Sequence, residues 1–187
     1  MKKFFMVLLM LLSFNVFADT LGANVSTLQN SNGTYANILE VYGSQAYSDN
    51  VDLVAKGVLK SNNVVDKHGV ALEVGAKYKY LGISQLRLVP WVQPSLTYVN
   101  PIARDSYIGY VVDGGVDFYA APDVAITPLV SYENSFAGRA VDEKYTYGLK
   151  GAYLVDNNNV VYLKVRRENG NFGQVDNRYY AGYEYKF

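Results

Sequence analysis

From about residue 20 to the end of the chain, apolar residues recur at every second position rather than every third or fourth. That period is the signature of a β-strand with two unlike faces. In 144–155, Tyr145, Tyr147, Leu149, Gly151, Tyr153 and Val155 share one face, against Lys144, Thr146, Gly148, Lys150 and Ala152. In 69–80, Leu72, Val74, Ala76, Tyr78 and Tyr80 oppose Glu73, Gly75, Lys77 and Lys79. The same division sets Val161, Leu163 and Val165 against Tyr162, Lys164 and Arg166. A soluble sandwich also alternates, with its apolar faces meeting in one core. Here the apolar faces end in Tyr and Phe, as interfacial girdles do, and the polar faces carry charges deep within strands. Those charges suit a sheet closed around a wet lumen, with its apolar side turned to lipid.

Turn signals divide the chain into ten strands, near 20–28, 34–47, 51–61, 69–81, 86–98, 106–119, 123–134, 143–155, 159–168 and 177–187. Eight is the alternative if the segment before residue 48 forms fewer. Even-numbered connections read as tight turns, and most odd-numbered ones as longer loops. That layout puts both termini at the short-turn rim. Pro90, Pro94 and Pro128 interrupt the fifth and seventh strands. Each removes an N–H from the ladder, which implies a bulge near Trp91 or a segment that does not span.

Ahead of the strands stand Lys2 and Lys3, the apolar run 4–12, and a close at Val16 and Ala18. These are the parts of a cleaved secretory leader. Nine apolar residues reach only about 14 Å, against roughly 30 Å of hydrocarbon, so a spanning helix is excluded. The expected organisation is a leader over 1–18 and one domain over 19–187. Acids and bases number 17 each, so the chain lacks the basic footprint of a nucleic-acid binder. Without Cys there is no disulfide framework, thiolate metal site or Cys nucleophile.

The chain finishes Tyr180-Ala181-Gly182-Tyr183-Glu184-Tyr185-Lys186-Phe187. Tyr180, Gly182, Tyr185 and Phe187 resemble the terminal signal by which outer-membrane barrels are recognised for assembly; an amphipathic edge strand can add to a sheet edge. With the leader and the alternation, the chain resembles the small Gram-negative outer-membrane β-barrels, porin-like or of the compact OmpA and OmpX type. The resemblance implies an outer-membrane location, with lipopolysaccharide and the barrel-assembly machinery as contacts. It transfers no substrate.

Taken at face value, the alternation turns Lys56, Lys60, Lys77, Lys79, Arg87, Lys144, Lys150, Lys164, Arg166, Arg178 and Lys186 to the lumen. The acids assigned there are Asp52, Glu73, Asp113, Asp117, Glu133 and Glu184. A ten-stranded barrel is only slightly wider than one that side chains fill. The charges therefore either pair and plug the interior, or line a narrow path whose basic excess favours small anions. Lys164, Arg166 and Arg178 form the densest basic patch, and Gly75, Gly109, Gly115, Gly148, Ala152 and Gly182 are expected to leave space. The alternative function is a closed structural barrel whose loops 135–142 and 169–176, with Phe136, Arg139 and Phe172, hold a surface partner.

Enzymatic readings find little support. The single His68 sits in turn-like surroundings, with Ser61 seven residues before it. Asp113 and Asp117 share a face but stand about 13 Å apart along a strand, too far to share a proton. No phosphate-binding loop, metal-ligand cluster or cofactor motif occurs, so neither metal nor cofactor is expected.

Overall fold

The computed structural model describes residues 18–30, 33–62, 67–101, 105–137, 143–170 and 175–187. The leader's apolar run lies outside them. Ten strands follow: β1 Thr20–Asn30, β2 Gly33–Ser48, β3 Val51–Asn62, β4 Lys67–Lys79, β5 Leu88–Asn100, β6 Tyr107–Ala121, β7 Val124–Ser135, β8 Lys144–Leu154, β9 Asn159–Gly170 and β10 Val175–Lys186. Every neighbouring pair is antiparallel, and β1 closes on β10 with Thr20 opposite Lys186. The chain is thus a closed up-and-down barrel of ten strands, and the eight-strand alternative falls away.

Closure forces the strands to tilt. Partners followed from Thr20 run through Ser44, Val54, Gly75, Ser95, Val111, Glu133 and Lys144 to Gly170. The first residue of β1 is thereby linked to the last residue of β9, at the opposite rim.

The expected bulge near Trp91 is replaced by a gap. β4 and β5 pair at Gly75–Ser95 and again at Tyr78–Val92 in the same register, with no partners recorded between. Pro94 lies inside that gap. Pro128 coincides with a matching break in β6–β7, between Gly115–Leu129 and Phe118–Ile126. Pro lacks the N–H, but its ring adopts extended φ, so the strand continues unpaired on one side. Both segments span. Register shifts occur elsewhere, at Leu28/Gln29, Ala46/Ser48 and Tyr119/Ala121.

The contrast between the rims is smaller than expected. Strands run further than the turn signals imply, leaving 31–32, 63–66, 101–106, 136–143 and 171–174 on one side. On the rim that holds both ends of the barrel, the connections are 49–50, 80–87, 122–123 and 155–158. The second of these contains a short 3-10 turn at Ser84–Leu86.

The outer wall is apolar around the barrel, with Val25, Leu96, Ile108, Val130, Leu149 and Leu163 all exposed. In water such a surface would be an aggregation liability; against hydrocarbon it is matched. Among the described residues no helix is long and apolar enough to cross a bilayer, so any crossing falls to the strands. Tyr132 packs in tilted contact against Tyr145 at 4.9 Å and Tyr110 at 5.9 Å towards the loop rim. Tyr185 meets Phe187 edge-on at 4.9 Å at the other. These pairs sit where aromatic belts form.

Candidate functional site

Because side chains alternate, each strand delivers every second residue to the interior, and the tilt sorts the charges into tiers. Near the short-turn rim, Lys79 binds Asp52 at 2.8 Å and Lys150 binds Glu184 at 2.7 Å. Asp117 accepts from Thr127 Oγ1 at 2.7 Å and from Trp91 Nε1 at 3.3 Å, with Lys77 Nζ 3.8 Å away. Two of these cations also lie over rings: Lys77 over Trp91 and Lys150 over Tyr162, each at 4.3 Å.

In the middle tier Lys56 pairs with Glu73, which Gln93 also reaches. Arg166 stands 3.7 Å from Asp113. Lys164 meets no carboxylate within ion-pair distance among the described residues; its ammonium rests 3.8 Å from the Tyr180 ring centroid.

Nearer the loop rim, Arg178 donates to Glu40 at 2.6 Å and to Ser26 Oγ at 2.9 Å, with Glu168 at 3.6 Å. Lys144 bridges Glu133 at 2.7 Å and Glu168 at 3.8 Å. Buried Leu28, Ala36 and Ile38, with Val58 against them, fill the lumen beside this network. Unpaired buried charge is costly, so the pairing is what makes such an interior tolerable.

A cavity of about 560 Å³ occupies the other half. Its wall runs from Asp19, Asp52 and Lys186 at the short-turn rim, past Trp91, Tyr42 and Tyr162, to Lys164, Arg166, Asp113 and Glu40. Arg178, Lys144 and Glu168 do not line it. The interior is therefore a charged chamber reaching mid-barrel, with an ion-paired, partly apolar layer beyond. Ion pairs occur in both halves, so pairing does not by itself fill the interior.

Several lumen glycines seat side chains rather than opening space. A Cβ on Gly182 would strike the Tyr162 ring, one on Gly115 the Trp91 ring, and one on Gly22 the Tyr42 ring. Gly148 is covered by β9 at Val165 and Arg166.

The structure brings together all the sequence-assigned lumen charges except Arg87. That residue sits exposed in the turn before β5, with left-handed φ 60°. The 3-10 turn holds the chain off the ladder until Leu88, so Arg87 belongs to the rim. Three interior acids escaped assignment: Glu40, Glu168 and Asp176, all buried or nearly so. Applying the alternation throughout β2 and β9 finds Glu40 and Glu168, since Glu40 follows Ala36 and Ile38 and Glu168 follows Lys164 and Arg166; extending it to the start of β10 finds Asp176. With Arg87 removed and these added, the expected basic excess shrinks to near balance. Of the terminal residues, Tyr180 is buried in the lumen and Gly182 lies beneath Tyr162, whereas Tyr185 and Phe187 face outward. His68 opens β4, exposed and directly across from Ser61, rather than lying in a loop. Phe136 is exposed at its expected loop; Arg139 and Phe172 fall outside the described residues.

No protein-family model matches the chain, and no curated protein sequence is similar to it. Solved structures share the fold. A NanC porin aligns with a TM-score of 0.56 at 11% identity, over 89% of this chain and all of that one. The translocator domain of the autotransporter NalP from Neisseria meningitidis gives 0.53 at 10%, over 90% of this chain and 88% of that one. A KdgM porin in complex with disordered oligogalacturonate gives 0.50 at 15%, over 90% and 99%. The architecture is thus that of outer-membrane porins and related small barrels.

Proposed function

We propose that this chain is an outer-membrane β-barrel, exported through its leader and assembled through its terminal strand, that acts as a narrow porin-like channel for small polar solutes. The observation that carries the reading is the 560 Å³ chamber, open towards the short-turn rim and walled by ionised side chains and aromatic rings. A barrel serving only as a staple needs no such space. At its inner end Lys164 has no carboxylate partner, and the Nε of Arg166 no hydrogen-bond acceptor, among the described residues. A cation without a carboxylate partner at the chamber's inner end favours small anions over cations there, even though the lumen as a whole is near balance.

The fold shared with porins supports the reading. Planar-bilayer recording tests it. Folded protein should give small unitary currents with a reversal potential displaced towards the anion. A silent bilayer overturns the channel, and cation selectivity overturns the anion preference.

The ion-paired layer around Arg178 favours a second reading, a closed barrel whose loops engage a surface partner. Trimming loops 136–143 and 171–174 should then abolish surface binding while the barrel still folds; persistent binding rules it out.

A further inference from the structure

The interior accounts for nearly every charge by pairing, yet Arg167 is turned outward. It alternates with Arg166 and Glu168, is exposed, and its guanidinium makes no ion pair or hydrogen bond among the described residues. Its ladder partners are Tyr147 on β8 and Asn177 on β10. An uncompensated cation on a lipid-facing wall is unfavourable unless something anionic meets it.

Beside it the outer wall is hollow. A groove of about 1000 Å³ crosses β10, β1 and β2, floored by the small outward residues Ala181, Val25 and Thr27. Leu163 and Tyr179 wall one side; Leu39, Leu59 and Val70 wall the other. No acidic residue lines it. Tyr179 pairs with Val165, one outward position below Arg167, so Arg167 occupies the position diagonal to the groove's Tyr179 edge. On the same side the outer face turns polar towards the loop rim, at Asn37, Ser61 and His68. Around β6 to β8, by contrast, it stays aromatic with Tyr110, Tyr132 and Tyr145.

We propose that this groove holds one phosphate-bearing bilayer lipid, its acyl chain along the apolar floor and its phosphate gripped by Arg167. Guanidinium matches phosphate in two-pronged geometry, and burying the chain removes apolar wall from contact with disordered lipid. The assignment rests on the proposal that the barrel spans a membrane, and it is independent of whether the lumen conducts.

Native mass spectrometry of the folded, delipidated protein in non-ionic detergent tests it, with phosphatidylglycerol added and diacylglycerol of the same chains as control. Wild type should retain one phosphatidylglycerol and markedly less diacylglycerol. Arg167→Gln should cut retention about tenfold, the loss of one charge-assisted contact, and Arg167→Lys only in part. Leu39→Trp, which fills the groove, should abolish retention. Heat-modifiable gel migration checks that each variant folds; Arg167→Gln decides the matter should Leu39→Trp not. Undiminished retention by folded Arg167→Gln, equal retention of diacylglycerol, or displacement of the lipid by inorganic phosphate alone overturns the site. A chain soluble without detergent and lacking heat-modifiable migration overturns the membrane reading instead.

Discussion

Arg178 of β10 reaches across β1 to Glu40 of β2, closing a 2.6 Å charge-assisted contact between residues 138 positions apart. Asn24, on the intervening strand, donates to the other oxygen of the same carboxylate at 2.9 Å. The barrel seam is thus stitched from inside by a group belonging to its final strand.

Removing Arg178 alone leaves Glu40 buried with Asn24 as its remaining donor. Arg178→Met is expected to cost about 3–5 kcal/mol, and the double change with Glu40→Gln distinctly less, because the pair's own net worth is small beside the cost of an orphaned charge. Urea unfolding of the barrel in lipid vesicles, run as a double-mutant cycle, measures both.

If the layer holding Arg178, Glu168 and Lys144 closes the loop side of the chamber, neutralising its shared acid should loosen it. Glu168 touches both cations, at 3.6 and 3.8 Å. Glu168→Gln should raise unitary conductance while Lys144 keeps Glu133; unchanged conductance would place the barrier elsewhere.

Reversing Lys164 and Arg166 to Glu should move the reversal potential in a salt gradient from the anion side to the cation side. The same changes at Arg87, exposed at the rim, should leave it nearly unmoved. This contrast separates a local constriction from overall net charge.

Gly182→Leu should hinder assembly, because the added side chain takes the place of the Tyr162 ring. Tyr162 in turn accepts from Asn24 and bonds Tyr42, each at 3.0 Å, so its displacement breaks a network. Overpacking of this kind costs about 1–3 kcal/mol. The double variant Gly182→Leu with Tyr162→Ala should recover part of the heat-modifiable fraction.

At the 155–158 turn, the backbone N–H of Asn158 and the side-chain amide of Asn159 hold the Asp156 carboxyl below the usual carboxylate range. A lowered folded value means that this contribution is present above the unfolded value of about 3.9 and fades as pH falls through the folded one. Exchange of the Asn158 and Asn159 amides should therefore quicken only in that acid window, and Asp156→Ala should remove the pH dependence. The site is fully exposed, so the change should stay local.

Much of this architecture was legible along the chain. The alternation over 144–155 located β8 nearly to the residue, and the lumen and lipid faces of β4, β8, β9 and β10 follow it throughout. Turn signals were a poorer guide: 169–176 reads as loop, yet Asp176 is buried in β10. Gly and Asn mark where a strand can end, whereas the ladder to a neighbour decides where it does. The prolines misled for a related reason, because one missing N–H is tolerated when the opposite neighbour still pairs.

Period-two patterning is a property of adjacent residues, so the sequence by itself determined that strands form and which side of each meets oil or water, while closure fixed their number at ten. Which charges meet is another matter. Closure and tilt bring Glu40 beside Arg178, set Glu168 between two cations, and fold tyrosines over glycines from neighbouring strands. Those encounters gave one half of the lumen an ion-paired, partly apolar layer and the other a cavity, because register around a closed sheet depends on every strand at once.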